Sequence, residues 1–247
     1  MKKKRNFLIL LVFLLVLLFV LAFAKNIIAQ VVITSGVKAI TGLEVKTGGV
    51  NASIRKTFLG INGLTVFNPP QFSDRVMVNM PEVYVDYNLG DFFKGKAHFE
   101  ELRINLEELI VVRNQANQVN IKSLKALLPK GEGKPPQIQI DGLTLKISRV
   151  IYKDYVLGSP ETREFNVNIT EKIENVTDPQ ALVRLILMRA LSKTNIAGLA
   201  GIDLDKLKQD ISESLLRQGG GAVEELKGKA QEKLEEVEDK FRDIFNK

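Results

Sequence analysis

The chain has 247 residues, enough for one medium domain or two small ones. It contains no cysteine and one histidine, which excludes a disulfide framework and a thiolate metal site and argues against a transition-metal centre. Removing Lys2, Lys3, Lys4 and Arg5 from a net charge of +6 leaves about +2. That near-neutral remainder argues against a nucleic-acid partner, which would need a clustered basic face.

Residues 7–24 read FLILLVFLLVLLFVLAFA, with no polar residue. As a helix they span about 27 Å at a 1.5 Å rise, and a hydrocarbon core is about 30 Å thick. The four cations in front are the signal that keeps an N-terminus cytoplasmic. The expectation is a transmembrane anchor over 1–24, with the rest of the chain on the far side. A cleavable signal peptide is the alternative, because Ala22-Phe23-Ala24 fits a small-x-small cleavage site. Against it, the apolar run is longer than a usual signal core. Apolar residues also continue at helical spacing through Ile27, Ile28, Val31, Val32, Val37 and Ile40. Residues 25–42 are read as a linking helix that stops at Gly42.

From residue 43 the apolar period changes to two. Leu43 and Val45, then Val50, Ala52 and Ile54, alternate with polar neighbours, and Gly48-Gly49 reads as a turn between the two runs. Ile61, Leu64 and Val66 make the next strand, ended by Asn68-Pro69-Pro70. Val76 and Val78 open another, followed by Val83, Val85 and Tyr87. Residues 91–96 read as a loop. Leu102, Ile104 and Leu106 share a face, 109–112 read as a more buried strand, and 121–128 as a short helical region. Residues 129–136, rich in Pro, Gly and Lys, read as a connector. Ile138, Ile140, Leu143, Leu145 and Ile147 resume the strand pattern, then Val150 and Tyr152, then Phe165, Val167 and Ile169. Eight to nine strands are expected between 43 and 170, within a sheet domain of 43–172, most with one apolar face, which favours an antiparallel sheet. Residues 61–66, INGLTV, echo 140–145, IDGLTL. This is either a pair of independent turn or bulge signals or a repeated strand unit.

The character turns helical at Asp178, an N-cap followed by Pro179. Residues 178–217 are read as helices packing on the sheet, with 196–202 a small-residue link. After Gly219-Gly220-Gly221, residues 222–247 are amphipathic. Leu226, Leu234 and Phe241 lie on the apolar stripe, which suits docking on its own domain, on a partner helix or on a membrane surface.

No catalytic constellation is legible. His98 has no Ser or Asp partner by spacing, and the pairs Glu100-Glu101 and Glu107-Glu108 point to opposite faces of a strand. No phosphate-cradling glycine motif is present, and no cofactor is implied. The Asn-x-Ser/Thr matches at Asn51, Asn168 and Asn175 carry little weight. The fold class expected is α+β: an N-terminal transmembrane helix, a twisted, mainly antiparallel curved sheet, then C-terminal helices.

Several stretches occur in a recognisable order after the anchor. They are residues 60–72, GINGLTVFNPPQF; 80–87, MPEVYVDY; 95–104, GKAHFEELRI; and 119–124, VNIKSL. With Asn68-Pro69 ahead of Phe72, and Asn120 ahead of Leu124, this order resembles the N-terminal region of AsmA-like proteins of bacterial envelopes. It covers about residues 7–155. The resemblance implies an inner-membrane, single-pass protein with a periplasmic sheet, taking part in envelope biogenesis through phospholipid handling. It carries no catalytic residue. The long middle of the larger family members is missing here, and helices follow instead. On this reading Val83, Val85, Leu102, Ile104, Ile138, Ile140, Leu143 and Leu145 are candidates to line a lipid groove. They would equally form a dry core if the helices of 178–217 cover them. The partners implied are inner-membrane lipid and, through the last helix, another envelope protein. The second functional expectation is a membrane-anchored scaffold or adaptor.

Overall fold

The computed structural model describes residues 2–128 and 138–218, with the backbone alone for 2–10, 14–23 and 214–218. A single helix, α1 (Lys2–Thr41), carries the apolar run and the linking segment without a break. It ends where Gly42 turns into the left-handed region at φ +79°, a conformation that favours a residue without Cβ. Among the described residues no helix is long and apolar enough to cross a membrane. Most side chains of the 7–24 run lie outside those residues.

Among the described residues seven strands follow: β1 (Val45–Lys46), β2 (Gly49–Ser53), β3 (Phe58–Phe67), β4 (Val76–Tyr87), β5 (Ala97–Arg113), β6 (Ile138–Asp154) and β7 (Glu161–Val176). A short helix, α2 (Leu89–Phe93), joins β4 to β5, where a plain loop is expected from the sequence. Two 3₁₀ turns, Asn120–Ser123 and Lys125–Leu127, occupy the region read as short helix. The chain then forms α3 (Pro179–Ser192), α4 (Ile196–Ala200) and α5 (Leu204–Gln218). The predicted small-residue link is therefore the helix α4, closed by Gly201 at φ +59°.

The architecture is α+β, with one curved sheet in the order β1/β2–β3–β4–β5–β6–β7 and helices after it. All pairings are antiparallel except one: β5 and β6 run parallel over their full lengths, from Ala97 opposite Ile138 to Arg113 opposite Asp154. A parallel pair needs a long crossover, and residues 114–137 provide it. The segments β1 and β2 are not separated by a turn at Gly48-Gly49. Both pair with β3 in one continuous register, Val45 with Val66 and Val50 with Ile61, as a single interrupted edge strand.

Seven strands form rather than eight or nine because the sheet contains a seam. On β3 the core-facing residues step from Ile61 to Leu64, on β4 from Val83 to Met80, on β5 from Leu106 to Leu109, and on β6 from Ile147 to Val150. Each step is three residues instead of two, so the alternation slips by one while the strand continues. Gly63, at φ +60°, sits in the seam opposite Pro81, and the β3–β4 ladder skips that pair. Proline has no N–H to give a ladder, so an interior strand tolerates it only at such an irregularity. On β7 the slip becomes a bulge: the register shifts between Ile147 and Arg149, and Asn168 takes a positive φ. In the sequence each slip reads as a strand end. The echoed Gly142 lies inside β6 and lacks the positive φ of Gly63, so the two six-residue stretches are not equivalent turns.

One face of the sheet carries the main core. Ala29, Ile33 and Val37 of α1 pack on it, as do Ile121 and Leu124 of the crossover, Leu187 and Leu191 of α3, and Ile196 of α4. A smaller cluster of Phe72, Ile110 and Val112 sits apart from it. It explains why the stretch 109–112 is buried throughout. The free edge, β7, is lined with Glu161, Arg163, Glu164, Glu171, Lys172 and Glu174, the charged edge that discourages strand addition.

Candidate functional site

The eight residues read as a possible groove lining are gathered in one place. Ile140, Leu143 and Leu145 are at most 1% exposed, and Val83, Val85 and Ile104 are buried beside them. Leu102 and Ile138 are half-buried against the same cluster. They belong to the main core cluster, together with residues of α1, the crossover, α3 and α4. The partner-helix residues Leu226, Leu234 and Phe241 lie outside the described residues.

Two open clefts are found elsewhere among the described residues. One, of about 950 Å³, lies between the crossover, α3 and α5, and its walls mix Lys122, Arg184 and Lys206 with Asp203, Asp210 and apolar residues. The other is shallow, with Asp74, Arg75, Asn79 and Glu108 in its wall. Mixed charge of this kind gives neither cleft a preference for anion or cation, and none of the eight groove residues lines them.

The end of the sheet nearest the first half of α1 is built differently. Asn26 of α1 accepts the Ala52 N–H at 3.0 Å and so ties the helix to β2. The next residues, 54–57, turn the chain into β3. Tyr87 fixes this turn to β4: its N–H donates to the Thr57 carbonyl at 2.9 Å, while Thr57 Oγ1 donates to Asp86 at 3.3 Å. Asn88 then caps α2 by accepting the Asp91 N–H at 3.0 Å. Phe92 and Phe93 project from α2 at 60% and 79% exposure.

His98 lies behind α2 and joins three segments. Its Nδ1 is 2.8 Å from Asp91 of α2, and its Nε2 is 2.9 Å from Asp141 of β6. Gln139 donates to the other oxygen of Asp141 at 2.8 Å, and Lys94 pairs with Asp91 at 3.2 Å. Hydrogen bonds to Asp141 and then Asp91 raise the His98 pKa above its ordinary value. The same bonds hold both carboxyls below the usual carboxylate range. Both ring nitrogens are thereby committed to carboxylates, an arrangement that fastens α2 to β6. Sequence spacing could not reveal it, because Asp141 comes 43 residues after His98 and reaches it only through the parallel β5–β6 pairing. Among the described residues no group of three or more His, Asp and Glu is arranged to hold a metal ion.

At the opposite end lies a buried polar knot. Asn120, fully buried, donates to Asn68 Oδ1 at 2.8 Å and to the Ile110 carbonyl at 2.7 Å. Its oxygen accepts the N–H groups of Val112 and Ile121 at 2.8 and 2.9 Å. Asn68 in turn donates to the carbonyls of Asp74 and Val76. Nearby, Asp74 binds Lys153 and the Tyr155 hydroxyl, whose pKa is pushed up to about 12 chiefly by that hydrogen bond. The Arg113–Asp154 ion pair ties the ends of β5 and β6 together. The motif asparagines are thus structural: every donor and acceptor of Asn120 is used.

Comparison with known families, curated proteins and solved structures gives no match for this chain. The resemblance to AsmA-like proteins rests on the residues quoted for it.

Proposed function

We propose that the chain is a membrane-anchored envelope protein of the AsmA-like type that works as a non-enzymatic scaffold. In this reading α1 spans the bacterial inner membrane, with its N-terminus cytoplasmic and the sheet in the periplasm. The apolar run and its basic flank support the anchor. The observation that carries the scaffold role is the burial of the apolar face: the residues that would line a lipid groove are buried in, or packed against, one core cluster shared with residues of α1, the crossover, α3 and α4. The six strand positions of the sheet span about 24 Å at a spacing near 4.8 Å, too little to bridge two membranes. The committed ring nitrogens of His98 favour a structural histidine over a catalytic one. The amphipathic stretch 222–247, with Leu226, Leu234 and Phe241, supplies the surface for another envelope protein.

Fluorescent phospholipid transfer between vesicles by the reconstituted full chain tests this. A scaffold produces no transfer above protein-free vesicles. Transfer that Ile104→Asp abolishes in a folded protein would replace the scaffold with lipid handling through an opened sheet face. Topology is checked separately: the chain has no cysteine, so Leu157→Cys in the β6–β7 turn offers a single thiol. A membrane-impermeant maleimide should label it from the periplasmic side of intact spheroplasts.

A further inference from the structure

We propose that the end of the sheet formed by α2 and the β2–β3 turn rests on the lipid headgroup layer, with Phe92 and Phe93 in the interface and Arg55, Lys56 and Lys96 against anionic phosphates. The inference rests on α1 being the anchor and adds a second, peripheral contact to it. Three observations meet here. The Asn26–Ala52 hydrogen bond places the β2–β3 end of the sheet beside α1 at the point where its 7–24 run begins to extend away, one residue beyond Lys25. That same end carries three large apolar side chains in the open, Ile54, Phe92 and Phe93, the last 79% exposed. Such residues are costly in water and are the kind that populate a membrane interface.

Charge completes the argument. Arg55, Lys56 and Lys96 are all exposed and flank the aromatics. Acids of this end have partners within the fold: Asp86 has Thr57, Asp91 has His98 and Lys94, Asp141 has His98, Glu100 has Asn88 and Glu101 has Arg103. Basic side chains beside exposed aromatics match an anionic leaflet, the long Lys and Arg stems lying along the apolar layer while their heads reach phosphate. The clamp through His98 holds α2 against β6, so the two phenylalanines are presented by a fixed element.

The chain contains no tryptophan, so each Phe→Trp or Leu→Trp variant has one emitter. The full chain is reconstituted in vesicles of phosphatidylcholine and phosphatidylglycerol, with and without bromine on the acyl chains. Four variants are compared: Phe13→Trp in the anchor, Phe93→Trp and Phe92→Trp at the rim, and Leu157→Trp at the far end of the sheet. Blue-shifted emission at the rim, lost in brominated vesicles while Leu157→Trp keeps its emission, supports the proposal. Arg55→Glu with Lys56→Glu, both outside the clamp, should weaken that quenching. Quenching of Phe13→Trp without quenching at either rim position overturns the rim and leaves the anchor standing. Quenching at the rim without quenching of Phe13→Trp removes the anchor and keeps the rim as a peripheral contact. Loss of quenching at all three sites overturns both.

Discussion

Asn120 and Asn68, 52 residues apart, meet side chain to side chain in the interior, and between them they fasten the crossover to the β3–β4 turn and to β5. Asn120 has no exposed surface and uses all four of its hydrogen-bonding positions. Replacing it with alanine would strand the Ile110 carbonyl, the Val112 and Ile121 N–H groups and the Asn68 oxygen in the core. Each stranded buried group costs about 1–3 kcal/mol. Asn120→Ala should therefore destabilise by about 3 kcal/mol or more, read as a lower urea midpoint. A midpoint within error of the parent would show that the knot is dispensable.

The histidine clamp makes a pH prediction with a definite sign. The folded-state pKa of His98 is raised, so its contribution to stability is complete below the unfolded value near 6.5 and fades as pH rises through the folded value. The pKa values of Asp91 and Asp141 are lowered, so theirs is present above the ordinary carboxylate value and fades as pH falls through the folded one. Lys94 and Lys96 beside Asp91, and Gln139 beside Asp141, complete the surroundings. Melting temperature measured from pH 5 to pH 9 should show a gap between the parent and His98→Gln. That gap should be widest near pH 5–6 and narrow toward pH 9. A gap that is flat with pH would mean the ring acts by packing alone.

The seam predicts the effect of a single Cβ. Gly63 takes φ +60°, and a Cβ there would lie 3.5 Å from the Gly48 nitrogen, so space is adequate but conformation is not. The left-handed region costs an L-residue about 1–2 kcal/mol. Gly63→Ala should lose about that much in urea unfolding. Gly142→Ala in the echoed stretch has no positive φ to strain and should lose less, although its new Cβ would come within 3.6 Å of the Glu100 carbonyl. Equal losses at both sites would argue that the two stretches are equivalent after all.

A fourth prediction concerns the covered face. Leu145 is wholly buried in β6. Leu145→Ala removes contacts and leaves a cavity, at a cost of about 2–5 kcal/mol. Leu102→Ala, at a half-buried position against the same core, should cost less. Chemical denaturation of both variants measures the contrast. Equal, small losses would point to a face that is open to solvent or lipid.

Periodicity was enough to place the apolar run, the strand-rich middle and the helices after Asp178, because each writes its own repeat into the chain. Asp178 does cap α3, accepting the Gln180 N–H at 2.8 Å. The expected strand count exceeds the seven observed among the described residues because a phase slip and a strand end look alike in one dimension. Only the ladder through Gly63, Pro81 and Asn168 separates them. The His98 clamp was equally hidden, since its partners come from a helix seven residues back and a strand 43 residues on.

Short-range chemistry encodes the apolar N-terminal helix, the alternating faces of the strands, and the caps and breaks between them. Tertiary structure alone decided which apolar face is covered, that β5 and β6 run parallel, and which polar groups meet inside. The physical reason is distance along the chain. Alternation says that a face must be buried, but what buries it is settled by segments well over a hundred residues apart, such as those of Ile33 in α1 and Leu187 in α3, gathered into one core.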